Sequence, residues 1–187
     1  MKVTATSLPG VLLVEPRVFA DDRGRFHETW SAGRYADAGV AGPFVQDNLS
    51  LSRRGVVRGL HFQQPHAQGK LVFVARGEVF DVAVDVRAGS PTFGRWEGFR
   101  LSDENARQLY IPPGFAHGFQ VVSEDALFAY KCTELYHPEC EATVRWNDPD
   151  LAIAWPLPDA VLSPKDADAP TLADLRAADG RLPRWNG

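Results

Sequence analysis

Short apolar or alternating runs dominate the chain. They fall at 11–15, 56–63, 70–75, 79–86, 95–101, 108–111, 118–122 and 126–133, with Gly, Pro and Asp punctuating the intervals, and this spacing predicts strands joined by turns, as in a β-sandwich or barrel. Helical periodicity is confined to 31–38, with Ser31 as its N-cap, and to 171–178, where Thr171 and Asp174 have capping-box spacing. No repeat or low-complexity tract is present. After Trp155 the chain turns rich in Pro, Asp and Ala, which predicts a segment from about residue 156 that wraps over a single domain spanning 1–187.

Because side chains alternate across a strand, parity sorts the polar positions. Val57, Gly59, His61 and Gln63 share one face, and Arg58, Leu60 and Phe62 the other. Asp81, Ala83 and Asp85 lie opposite Phe80, Val82, Val84 and Val86, so two carboxylates line one side of a strand whose other side is apolar. That arrangement suits a polar-lined barrel. His117, Phe119 and Val121 share a face, as do Phe128, Tyr130 and Cys132. Parity sends Arg58 away from His61 unless the regular strand begins just after it. Burying Arg58, His61 and Lys70 among Val56, Val57, Leu60, Phe62, Leu71 and Val72 without partners costs roughly 2–7 kcal/mol per polar group, so the three mark a site.

Composition narrows the function. The 187 residues are 44% hydrophobic, enough for one substantial core. A net charge of −4 and a pI near 5.7 argue against nucleic acid or an anionic membrane as partner, since phosphate binding needs clustered excess Lys and Arg. No apolar stretch approaches the ~20 residues that span a bilayer. Two cysteines, Cys132 and Cys140, are too few for a disulfide scaffold, and no signal-peptide pattern opens the chain, so a cytoplasmic protein with reduced thiols is expected. Both are read as small fillers.

Pro112-Pro113-Gly114-Phe115-Ala116-His117 resembles the Pro-x-Gly-x-x-His element of the cupin superfamily, which implies a mainly β, cupin-type jelly-roll (double-stranded β-helix) barrel with a few short helices. Metal-binding cupins carry a His-x-His pattern; here the matching stretch reads His61-Phe62-Gln63, and Lys70 would set a positive charge beside any ion. A three-histidine set of His61, His66 and His117 is the remaining metal reading, and no metal is expected. The chain also resembles the dTDP-4-dehydrorhamnose 3,5-epimerase family in ordered blocks. They include Phe19-Ala20-Asp21-Asp22-Arg23-Gly24, Phe44-Val45-Gln46-Asp47-Asn48, Arg58-Gly59-Leu60-His61, Gly69-Lys70-Leu71-Val72, Tyr130-Lys131-Cys132-Thr133 and Ser163-Pro164-Lys165-Asp166. The resemblance implies a homodimer that needs neither metal nor cofactor and acts on a dTDP-4-keto-6-deoxy sugar.

Such chemistry needs a base on one face of a carbon alpha to a ketone, charge stabilisation for the enolate, and an acid on the other face. His61 suits the base, with an ordinary pKa of about 6.5. By resemblance Asp166 orients it, Lys70 holds the enolate oxygen and Tyr130 returns the proton. Arg23, Arg58, His117 and Lys165 match nucleotide-sugar contacts, Tyr136 matches a tyrosine that stacks on thymine, and Glu28, Gln46, Asn48 and Glu141 match further polar contacts, some of them donated across a dimer interface. The family implies inversion at both C3 and C5. A mono-epimerase, a 3,4-ketoisomerase, or a ligand-binding or metal-dependent cupin are the alternatives. Phe73, where an arginine is common, and Arg25, where an aromatic is common, depart from the pattern.

Overall fold

A computed structural model describes residues 1–178 and 180–185. The chain is mainly β, a cupin-type barrel. Its strands are β1 (Lys2–Ala5), β2 (Leu12–Glu15), β3 (Val18–Asp21), β4 (Gly24–His27), β5 (Gln46–Arg53), β6 (Val57–Gln63), β7 (Lys70–Asp85), β8 (Trp96–Ser102), β9 (Gln108–Ile111), β10 (Phe115–Cys132) and β11 (Glu141–Thr143). Three short helices accompany them: α1 (Ala32–Asp37), α2 (Pro164–Ala167) and α3 (Leu172–Ala177). One sheet runs β1-β2-β9-β7-β10-β6-β11, with β5 on β10 and β8 on β7, and β3 with β4 forms a separate two-stranded sheet.

Two long strands organise the barrel. The runs expected at 70–75 and 79–86 are one strand, β7, and those at 118–122 and 126–133 are one strand, β10. The Arg-Gly-Glu and Ser-Glu-Asp stretches that resemble turns are instead irregularities within continuous pairing. β10 loses register with β7 between Val121 and Ala126 and again between Leu127 and Phe128. Gly77 sits there at φ +82, and a Cβ on it would meet the Asp125 carbonyl oxygen at 2.1 Å. The shift exchanges faces. Val72 and Val74 join the same core as Val79 and Ala83, and Phe119 and Val121 the same core as Ala126 and Phe128, so on each strand even positions on one side of the shift face where odd positions face on the other.

A second shift lies between His117 and Phe119, where β6 pairs His61 with His117 but Arg58 with Phe119. Here Gly59, at φ +135, passes Gly118 so closely that a Cβ on Gly59 would stand 2.5 Å from the Gly118 Cα. The extra residue turns Arg58 to the face of His61, which regular alternation forbids.

The last part of the chain is tied to the barrel by backbone. The buried Gln120 side chain donates to the Leu157 carbonyl (3.0 Å) and accepts from the Leu157 N–H (2.9 Å), and Val161 bridges to Val56. Helix α2 follows, with Pro164 at its start and Ser163 Oγ accepting from the Asp166 N–H (3.2 Å). Helix α3 has the expected capping box between Thr171 and Asp174, whereas Ser31 stands before α1 without a side-chain cap bond. Among the described residues, no helix is long and apolar enough to cross a membrane.

Candidate active site

A cavity of about 570 Å³ opens inside the barrel, walled by β5, β6, β10, the start of β7, and residues 161–166. His61 projects into it from β6, held centrally between β10 and β11. Its Nε2 lies 2.6 Å from Asp166 Oδ1. An ionised carboxylate only accepts, so Nε2 carries the hydrogen and Nδ1 is left with the lone pair. Asp166 is 3% exposed. Burial works to raise its carboxyl, but the His61 and Ser163 hydrogen bonds and the charge of Lys165 help to outweigh burial and hold it below the usual range.

Lys70 heads β7, directly opposite Cys132 of β10. It is buried, and among the described residues no hydrogen bond or ion pair engages its ammonium. Desolvation lowers its pKa, against the pull of Cys132, Glu141 and Asp81. Tyr130, on β10 between Asn48 and Val72, has its hydroxyl pushed up by burial and so keeps its proton. His117 Nε2 bonds to Asp81 Oδ2 at 2.9 Å; both residues are buried, and desolvation lowers the imidazole pKa. A base with a free nitrogen, an unpaired cation and a protonated phenol thus share one hollow. That set can abstract a proton alpha to a carbonyl, steady the enolate and return a proton.

The outer wall is a polar network. Glu141 Oε2 accepts from Lys165 Nζ (2.7 Å) and Tyr136 Oη (2.9 Å), while its Oε1 lies 3.9 Å from His61 Nδ1. Gln46 Nε2 donates to Asn48 Oδ1 (3.0 Å), Asn48 Nδ2 to Cys132 Sγ (3.7 Å), and Arg58 Nε to Ser52 Oγ (3.0 Å).

A family model described as dTDP-4-dehydrorhamnose 3,5-epimerase matches residues 5–174. The dTDP-4-dehydrorhamnose 3,5-epimerase of Pseudomonas aeruginosa is 57% identical over 176 residues, 93% of this chain and 97% of that one. That of Methanothermobacter thermautotrophicus is 54% identical over 164 residues, 86% of this chain and 89% of its own. The crystal structure of the Legionella pneumophila dTDP-6-deoxy-D-glucose-3,5-epimerase in complex with dTDP-4-keto-L-rhamnose superposes with a TM-score of 0.95 at 52% identity, covering 100% of this chain and 99% of that chain. The chain belongs to the dTDP-4-dehydrorhamnose 3,5-epimerase family.

For a member of this epimerase family, the site expected from sequence is gathered with two exceptions. Gln46, Asn48, Arg58, His61, Lys70, His117, Tyr130, Tyr136, Glu141, Lys165 and Asp166 all line the cavity. Arg23 and Glu28 do not. Arg23 lies in the β3–β4 turn, 90% exposed and paired with Asp21, and Glu28 pairs with Arg34. Among the described residues the β3–β4 ribbon pairs with no other strand, and it carries both away from their own cavity.

Other expectations need correction. Cys132, read as a filler, is a wall of the cavity and accepts from Asn48. The three histidines of the metal reading go to separate partners: His61 to Asp166, His117 to Asp81, and His66 into a ring stack with His137 at 4.3 Å. Among the described residues no three His, Cys, Asp or Glu are placed to hold a metal ion. Asp85, paired by parity with Asp81, instead binds Arg87, Ser90 and Thr92 away from the cavity. Ser50 also lines the cavity and Ser52 accepts from Arg58 beside it, and the polar alternation of 46, 48, 50 and 52 is the sequence signal for both.

Proposed function

We propose that this chain inverts C3 and C5 of dTDP-4-dehydro-6-deoxy-D-glucose, giving dTDP-4-dehydro-L-rhamnose. The observation that carries the reading is the His61–Asp166 pair, with Nδ1 of His61 free in a cavity that also holds Lys70 and Tyr130. His61 removes the C–H proton next to the C4 ketone, and Asp166 fixes the imidazole and steadies the imidazolium that forms. Lys70 donates to the developing enolate oxygen. Its burial strengthens that interaction, because little water screens it. Tyr130 protonates the carbon from the opposite face. Each inversion moves only protons, so the atoms and electrons balance without a redox partner.

Arg58, His117 and Lys165 supply cations or donors for the pyrophosphate and sugar, Gln46 and Asn48 supply polar contacts, and Tyr136 offers a ring for thymine. The unit of function is a homodimer of single-domain chains in the cytoplasm. Its support is the β3–β4 ribbon, where Phe19 and Phe26 are 51% and 71% exposed beside Arg23 and Glu28. A second copy that covers this apolar pair receives Arg23 and Glu28 at its own cavity.

The test is proton NMR in D2O with dTDP-4-keto-6-deoxyglucose and no added metal or nicotinamide, following C3 and C5 separately. Deuterium entering both positions, with L-rhamno product, is expected. Entry at one position reassigns the chain as a mono-epimerase, and entry at neither overturns the proton-abstraction reading.

A further inference from the structure

Two inversions on one bound sugar make a demand that one inversion does not. A single base must shed the first proton before it takes the second, while the sugar still lies over it. The reacting carbon has to sit about 3–3.5 Å from His61 Nδ1, which places the sugar between that nitrogen and the open cavity. The other ring nitrogen offers no way out, since its hydrogen is bound to Asp166, whose side chain is 4% exposed.

A carboxylate stands beside Nδ1. Glu141 Oε1 is 3.9 Å away, close enough to be reached by a small side-chain movement. The opposite oxygen of the same carboxylate is held by Lys165 and Tyr136, which are half exposed at the rim. Glu141 therefore has one oxygen at the base and the other at the edge of solvent, on β11, a strand paired directly with β6. Resemblance alone assigns Glu141 a contact with substrate. Its geometry assigns more.

Resting on the epimerase reading above, we infer that Glu141 is the proton exit of His61 between the two inversions. After the first abstraction the Nδ1–H proton passes to Glu141 Oε1, and the carboxylic acid then loses it to water at the rim, so the imidazole is neutral again with the sugar still bound. The net change is one C–H proton delivered to solvent. Tyr130 donates one proton to the carbon from the other face and regains one. Lys165 keeps the resting carboxylate ionised and ready to accept. Without the exit, His61 recovers only when the sugar leaves, and the singly inverted sugar is released. Glu141 acts through His61 and is a positioning residue for the second inversion.

The test is Glu141→Gln, which keeps an acceptor for Lys165 and Tyr136 but takes no proton. It is run beside the unaltered protein in D2O with dTDP-4-keto-6-deoxyglucose. The unaltered protein should label both positions with little singly inverted sugar free in solution. In the variant, labelling of the first position should fall less than about threefold, labelling of the second at least tenfold, and singly inverted sugar should accumulate. The KM should change less than about threefold. Formate added to Glu141→Ala should restore second-position labelling. Equal loss at both positions, no loss at either, or a rise in KM with kcat unchanged would overturn the relay and leave Glu141 a plain contact. Failure of the unaltered protein to label at all would instead overturn the epimerase reading.

Discussion

His61 and His117 are register partners on neighbouring strands, and each presents Nε2 to a carboxylate, yet the barrel treats the two pairs differently. The His117–Asp81 pair is made inside the sheet, between β10 and β7, and both side chains are almost wholly buried. The His61–Asp166 pair joins β6 to a four-residue helix from the far end of the chain, and the imidazole keeps a quarter of its surface open to the cavity. Burial favours a neutral imidazole, which serves as a fixed donor or acceptor. Partial exposure leaves the other imidazole with one nitrogen held by a carboxylate and the other within reach of a substrate. The same two residue types thus become a wall and a base through their surroundings alone.

The largest effect that separates the two pairs is expected from His61→Ala. It should lower C3 and C5 exchange by roughly 10⁴-fold, the upper end of the range for a general base, while the calorimetric Kd for dTDP stays within about threefold. Asp166→Asn comes next. The amide frees Nε2 to change tautomer, and kcat should fall roughly 10²- to 10³-fold with KM little altered. If Asp81→Asn costs as much as Asp166→Asn, the division into wall and base fails.

Asp81→Ala tests the wall as structure. It leaves a buried imidazole N–H unpaired, so urea denaturation should show a loss of about 1–3 kcal/mol. The smallest effect is on the pH profile of stability. The folded His117 pKa is held below 6.5, first by desolvation, so the unfolded chain takes up the proton more readily. Unfolding free energy should therefore be level above pH 6.5 and decline as the pH falls below it, and His117→Gln should flatten that decline. Asp166 has its pKa lowered from 3.8, so its contribution is present above 3.8 and is lost only as the pH falls through the still lower folded value. Melting temperatures across this range separate the two windows.

Much of the barrel and of its chemistry can be read from the sequence. The alternation in 57–63 puts His61 on a polar interior, and that in 79–86 sets Asp81 on the face opposite Phe80, Val82 and Val84. What resists reading has physical causes. β5 is amphipathic the wrong way round: Leu49 and Leu51 are 65% and 61% exposed while Asn48, Ser50 and Ser52 face inward, so a search for apolar cores passes it by. Arg58 is hidden by an extra residue in the pairing, which no alternation rule reports. Arg23 and Glu28 are legible by resemblance, but their distance from the cavity depends on a ribbon that, among the described residues, joins no other strand.

The change of register in the middle of β10 bears on how this protein can vary over generations. His117 and Phe119 precede the shift, Phe128, Tyr130 and Cys132 follow it, and all five reach one wall only because the intervening residues add a fixed offset. Substitutions at 122–125 alter a bend and leave that count intact. Loss or gain of one codon there rotates the second half of the strand, sending Tyr130 outward and Ala129 inward while His117 stays in place. Point changes and length changes in the same four positions therefore have unlike consequences: the first are a route for drift, and the second are a barrier that lineages of this barrel cross only by losing the acid and keeping the base.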